Sequence, residues 1–142
     1  MSKVAIIYWT GSGNTEQMAN FIAEGAATAG AEVINIHVSQ RPSEAVASSD
    51  VLVLGSPAMG VEVIEESEME PFVKSLARIL KGKKVALFGS YGWGDGGWMR
   101  EWVERMNVYG AQVLDEGLIV QGSPDGSEAD RCKEYGAKIA SF

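Results

Sequence analysis

Apolar and polar positions along this chain fall into blocks whose period switches from continuous to helical and back. Val4-Ala-Ile-Ile-Tyr8 is an unbroken apolar run, the mark of a strand covered on both faces. From Asn14 to Ala29 the apolar positions are Met18, Phe21/Ile22, Gly25/Ala26 and Ala29, a helical spacing, and Gly30 can close that helix. Glu32 to Val38 reads as a second strand. Pro42 to Ser48 reads as a short helix with proline in its first turn, and Val51-Leu-Val-Leu54 as a third, buried strand. Met69, Phe72/Val73, Leu76 and Ile79/Leu80 mark a helix that ends near Gly82. Lys84 to Gly89 predicts a fourth strand, and Trp98/Met99, Trp102/Val103 and Met106 another helical face. Ala111 to Val120 predicts a fifth strand interrupted by Gly117, and Ala129, Cys132, Tyr135/Gly136 and Ile139 the last helix.

Strand alternating with helix predicts an α/β, doubly wound three-layer sandwich: a parallel sheet with helices on both faces and right-handed crossovers. A chain of 142 residues supports one core, so residues 1–142 are expected to form a single domain. Ligands in such sheets sit beyond the carboxyl ends of the strands, where strand order reverses. The loops after the first, third and fourth strands are therefore the ones to examine.

The first of these is Trp9-Thr10-Gly11-Ser12-Gly13-Asn14-Thr15-Glu16. Its glycines let the backbone turn tightly and approach a ligand. Thr10, Ser12, Asn14 and Thr15 offer hydroxyl and amide donors, and the helix that follows presents free N–H groups and a positive dipole end. No Lys or Arg lies between Lys3 and Arg41, so an anion here is held by neutral dipoles. The absent lysine excludes a P-loop, and Glu16 stands where a dinucleotide fingerprint needs its third glycine. Without further support, a glycine-rich turn with an ordinary helix cap explains the loop equally.

The loop after the third strand is Gly55-Ser56-Pro57-Ala58-Met59-Gly60-Val61-Glu62. The loop after the fourth is Gly89-Ser90-Tyr91-Gly92-Trp93-Gly94-Asp95-Gly96-Gly97-Trp98. Tyr91 and Trp93 stand among glycines, which predicts placement outside the core, free to stack on a flat ring. Trp98 and Trp102 keep the helical period and are expected in the core. Together the loops supply a phosphate cradle, a planar stacking surface and a tight turn facing it.

Charge narrows the partners. With 12 basic and 19 acidic residues the net charge is −7, which argues against nucleic acid and favours partners with basic surfaces. No run approaches the roughly 20 apolar residues that span a bilayer, so no membrane partner is expected. The single Cys132 excludes an internal disulfide, and the start of the chain lacks a signal-peptide pattern; a cytoplasmic monomer is the expectation. Neither a metal site nor a nucleophile–base pair can be assembled from His37, Cys132 or the acids, so no catalytic residue is expected.

The loop Thr10-Gly-Ser-Gly-Asn-Thr15, the turn Ala58-Met-Gly60 and the run Leu87-Phe-Gly-Ser-Tyr-Gly-Trp-Gly94 together resemble the short-chain flavodoxins of anaerobic bacteria, over essentially the whole chain. Flavodoxin is itself a standard instance of the strand-order rule used above, so the placement of the site is not independent of the resemblance. The resemblance implies a five-stranded parallel sheet of order 2-1-3-4-5 and non-covalently bound FMN. It also implies low-potential electron transfer between redox enzymes, cycling mainly between semiquinone and hydroquinone. By the same resemblance Thr10, Gly11, Ser12, Gly13, Asn14 and Thr15 hold the phosphate, while Met59 and Trp93 flank the isoalloxazine. Gly60, Gly92, Trp93 and Glu62 then contact its polar edge, and Ser56, Pro57, Ala58, Ser90, Tyr91 and Gly94 complete the binding loops.

Val61 bears on the turn: positive φ at its own position disfavours a β-branched residue and positive φ at Gly60 tolerates one, so Val61 is expected to bias the loop toward the form whose carbonyl accepts from flavin N5–H. Glu62, Glu65, Glu66, Glu68 and Glu70 read either as a solvated loop and helix start, where acids favour the dipole, or as an acidic docking patch for basic surfaces of redox partners. Two other readings compete. An FMN-dependent quinone or nitro reductase would need a substrate pocket over the ring, for which the chain has no long insertion. A phospho-receiver would need acids at the end of the first strand, where Tyr8-Trp9-Thr10 stands.

Overall fold

The computed structural model describes residues 2–142. The strands are β1 (Lys3–Tyr8), β2 (Glu32–His37), β3 (Val51–Gly55), β4 (Lys84–Tyr91), β5 (Gln112–Val113) and β6 (Leu118–Gln121). The helices are α1 (Asn14–Thr28), α2 (Ser43–Ser48), α3 (Met69–Ser75), α4 (Gly97–Val108) and α5 (Ser127–Ala140). All pairings are parallel, in the order β2-β1-β3-β4-β5 with β6 also on β4. This is the predicted doubly wound order, and strand order reverses between β1 and β3.

Alternation along each strand splits the core in two, because successive side chains point to opposite faces. Ala5, Ile7, Leu52, Leu54, Val85 and Leu87 pack with Val73, Trp98, Trp102 and Met106, beneath α3 and α4. Val4, Ile6, Val51, Val53, Ala86 and Phe88 pack with Met18, Ile22, Cys132 and Ile139, beneath α1 and α5. The expected core placement of Trp98 and Trp102 is therefore observed. Cys132 is buried, and burial pushes its thiol up to about 11, which leaves it an inert packing group.

Two glycines set the spacing of α1 and α5. A Cβ on Gly25 would lie 2.0 Å from the Lys133 carbonyl oxygen, and one on Gly136 would lie 2.1 Å from that of Ile22. The helices therefore touch backbone to backbone, and α1 is held as a rigid support for the loop at its N-terminus.

One element differs from its sequence pattern. The helix expected from Met69 to Leu80 ends at Ser75; beyond it successive turns bury Leu76 and Leu80 but leave Ile79 exposed. The fifth strand is broken into β5 and β6, as the glycine at 117 suggested. Gly117 has φ 81°, and a Cβ there would meet Met99 Sδ at 2.6 Å. Across the break, the Tyr135 hydroxyl reaches from α5 and donates to the Leu87 carbonyl at 3.1 Å. Burial raises the Tyr135 phenol far above its ordinary value, so it remains a donor.

Candidate functional site

The site begins where β1, β3 and β4 end side by side, with Tyr8 opposite Gly55 and Gly55 opposite Phe88. The three examined loops therefore leave the sheet together.

In the first loop Gly13 is the N-cap of α1 with φ 100°, a left-handed conformation with open space around its Cβ direction. Backbone angle, not crowding, is what requires glycine there. The Gly13 N–H donates to Thr10 Oγ1 at 3.0 Å, which folds the loop back over itself. Gly11 lies against the Trp9 ring, where a Cβ would come within 3.0 Å of it. Ser12 and Asn14 stay accessible at the mouth, ahead of the unpaired leading N–H groups of α1. Thr15 differs from them: it is fully buried, and its hydroxyl is 2.9 Å from that of Ser90. That hydrogen bond ties the first loop to the end of β4.

The second loop is built around a turn. The Met59 N–H donates to the Val63 carbonyl at 2.8 Å, and the Val63 N–H to the Met59 carbonyl at 3.0 Å. Between them Gly60 has φ 51°, while Val61 avoids positive φ, as its branching requires, and projects outward at 84% exposure. Glu62 takes a second left-handed position, φ 56°, which nothing in its residue type announced. The Ala58 N–H donates to the Ser90 carbonyl at 3.0 Å, joining this loop to the third. Pro57 and Ala58 are half-buried along the way.

Ser56 is wholly buried. Its hydroxyl donates to the Pro57 carbonyl at 3.0 Å and accepts the Glu65 N–H at 2.9 Å. Its own carbonyl accepts Trp98 Nε1–H at 3.2 Å and lies where a Cβ on Gly89 would intrude to 2.0 Å. Two of the buried residues, Trp98 and Gly89, thus shape this loop from below, a role that apolar periodicity alone does not reveal.

In the third loop Trp93 is 66% exposed, as expected of a stacking residue. Tyr91 is not free in the way its glycine neighbours suggested. It is the last residue of β4 and leans on buried Trp98, with ring centroids 5.6 Å apart. Gly92 is accessible, and its carbonyl accepts from the Gln121 side chain at 3.2 Å. Gly94 has φ 92°, and a Cβ there would lie 2.4 Å from Glu62 Oε1. A glycine is therefore required for the Glu62 carboxylate to enter beneath this loop. Glu62 Oε1 is buried and has no hydrogen-bond partner. A buried unpaired carboxylate oxygen is costly, and a ligand N–H would satisfy it.

The acidic run divides. Glu65 is only 4% exposed and is a structural cap rather than part of a surface patch. Its carboxylate accepts from Ser67 Oγ and from the backbone N–H groups of Ser67, Glu68 and Met69. Burial pushes its carboxyl upward, but these donors outweigh that and hold it below the ordinary carboxylate range. Glu70 is paired with Arg105, Oε1 to Nη1 at 2.7 Å. Exposed Glu66 and Glu68 remain, with Glu68 also accepting Trp9 Nε1–H at 3.3 Å. No capping signature announced this role, because the capping box needs Ser or Thr, not Glu, three residues ahead of its Glu.

Among the described residues no group of His, Cys, Asp and Glu could hold a metal ion, and no helix is long and apolar enough to cross a membrane.

The flavodoxin family model matches residues 6–136. A flavodoxin from Clostridium beijerinckii is 54% identical over 96% of this chain and 99% of that protein. One from Megasphaera elsdenii is 50% identical over 96% of this chain and 98% of that protein. The solution structure of two-electron reduced Megasphaera elsdenii flavodoxin superimposes with a TM-score of 0.84, covering 95% of this chain and 98% of that one. The chain belongs to the flavodoxin family, electron carriers that bind FMN.

Proposed function

We propose that the three loops form one FMN site and that the protein uses it as a low-potential carrier between redox enzymes. The flavin supplies reversible electron uptake, and the protein supplies position and environment. Thr10, Gly11, Ser12, Gly13, Asn14 and the N-terminus of α1 cradle the phosphate with neutral donors. Thr15 supports that cradle from below through Ser90. Met59 and Trp93 cover the ring. Ala58, Gly60, Glu62, Gly92 and Gly94 line its polar edge, while Ser56, Pro57, Ser90 and Tyr91 hold the lining in place.

The observation that carries this reading is Glu62 Oε1, an acceptor buried beneath Gly94 with no partner in the chain. A ring N–H is the donor such an atom requires. A protein of charge −7, with apolar Met59 and Trp93 at the site, resists added negative charge. The flavin is thereby held at low potential, and electron exchange runs mainly through the second of its two one-electron steps. Residues 2–142 act as a single domain and a cytoplasmic monomer, meeting basic partner surfaces through Glu66, Glu68 and the exposed rim at Val61 and Trp93. A reductase with its own substrate has no pocket-building insertion here.

The test is FMN uptake by apoprotein followed by stepwise reduction. The expected result is tight binding, a yellow oxidised spectrum and a blue one at half reduction. A colourless protein that takes up no FMN, or a direct passage from yellow to bleached, would overturn the assignment.

A further inference from the structure

Ser56 and Glu65 stand on either side of the turn that carries Met59, Gly60 and Glu62. Ser56 closes the strand side, at the end of β3. Glu65 closes the helix side, fastened to the start of α3 by the N–H groups of Ser67, Glu68 and Met69 at 2.8, 2.7 and 2.9 Å. The two meet directly, the Glu65 N–H donating to Ser56 Oγ at 2.9 Å. Residues 57–64 therefore form a closed loop with a buried base. Within it, Gly60 and Glu62 both hold positive φ, and Glu62 does so against the preference of an L-residue. Such a loop keeps its shape only if its ends are fixed.

We infer that Ser56 and Glu65 act as a clamp: positioning residues that hold the 57–64 turn in its ring-contacting shape, with hydroxyl and carboxylate spent inside the protein. The inference rests on the FMN reading above. It assigns Ser56 a role away from the phosphate and removes Glu65 from the docking surface. The clamp acts on the ring side, so its loss weakens FMN and riboflavin alike. Damage to the phosphate cradle weakens FMN alone.

The experiment uses apoprotein of the wild type, Ser56→Ala, Glu65→Gln, Glu65→Asp and, as the phosphate-side control, Thr10→Val. Dissociation constants for FMN and for riboflavin are read by flavin fluorescence quenching, and amide exchange is followed across 58–64 and across α5. Ser56→Ala removes both hydrogen bonds of that hydroxyl, of which the buried one from the Glu65 N–H closes the turn; the loss predicts about a tenfold weakening, equal for the two flavins. Glu65→Gln behaves the same way, with amide protection lost at 59–63 and retained in α5. Glu65→Asp keeps an acceptor within reach of the Ser67 and Glu68 N–H groups and recovers most of the affinity. Thr10→Val weakens FMN only. Unchanged affinities, a loss confined to FMN, or protection lost evenly through the sheet would each overturn the clamp. If Glu65→Gln does not fold, Ser56→Ala carries the test. A wild type that fails to bind FMN refutes the functional reading, while amide exchange in the apoprotein still decides the clamp.

Discussion

Replacing Gly136 by alanine puts a methyl group 2.1 Å from the Ile22 carbonyl oxygen and 2.8 Å from the Ala26 nitrogen. Ordinary contact begins near 3.4 Å, so the two helices must separate by more than an ångström at this point. Both obstructing atoms are backbone, and no rotamer change relieves them. Overpacking of a tight core costs about 1–3 kcal/mol, and a fixed backbone places this case at the upper end. Alanine returns about 1 kcal/mol through helix propensity. The net loss is about 2 kcal/mol. A chain of 142 residues unfolds with an entropy of about 0.3 kcal/mol per kelvin, so the melting midpoint falls by about 7 °C. Differential scanning calorimetry of apoprotein measures this without interference from bound flavin. Gly25→Ala makes the reciprocal clash with Lys133, and the double variant should lose less than the sum, because helices already parted accept the second methyl. A midpoint that stays or rises in Gly136→Ala would show that glycine does not set this helix spacing.

Acid should act through Glu65. Its carboxyl is held below the unfolded value of about 4.3, so its stabilising effect is complete above that pH and is lost as pH falls through the folded value. Urea titrations from pH 7 to pH 3 should find Glu65→Gln less stable near neutrality, with the difference from wild type shrinking in acid. A difference independent of pH would refute it. Electron-transfer rates with a basic redox partner should fall steeply with added salt, and Glu66→Gln/Glu68→Gln should flatten that dependence. Stopped-flow rates that ignore ionic strength would remove charge from the docking step.

The fold was legible because its signals are local and agree with one another. Continuous runs such as Val51 to Leu54 and the spacing of Met18, Ile22 and Ala26 report layers buried on both sides of a sheet. The turn on which the proposed cradle rests was also readable: Gly13 takes a left-handed N-cap, and its N–H donates to Thr10 Oγ1. What escaped was long-range. Thr15 looks like a surface donor by type, yet it is fully buried with its hydroxyl beside that of Ser90, 75 residues away. Glu65 looks like surface charge among acids, yet a buried network claims it. Tyr91 shares its glycine setting with Trp93, but the end of β4 delivers one ring onto Trp98 and leaves the other in solvent. Periodicity tells which face a residue is on, and it is silent about which partner waits there.

The broken edge of the sheet bears on where this fold can grow. Between β5 and β6 the chain leaves the ladder, and a side chain from α5 takes over the vacated acceptor at Leu87. Backbone satisfaction at that point no longer depends on the length of the connecting segment 114–117. Extra chain inserted there would cost only the slowly rising entropy of a longer surface loop. It would emerge beside the first turns of α4, where Glu116 and Gly117 line a depression with Gly96, Met99 and Arg100. The Tyr135 hydroxyl therefore makes this junction an attachment point, where an added segment could reach toward the cofactor without disturbing the sheet that holds it.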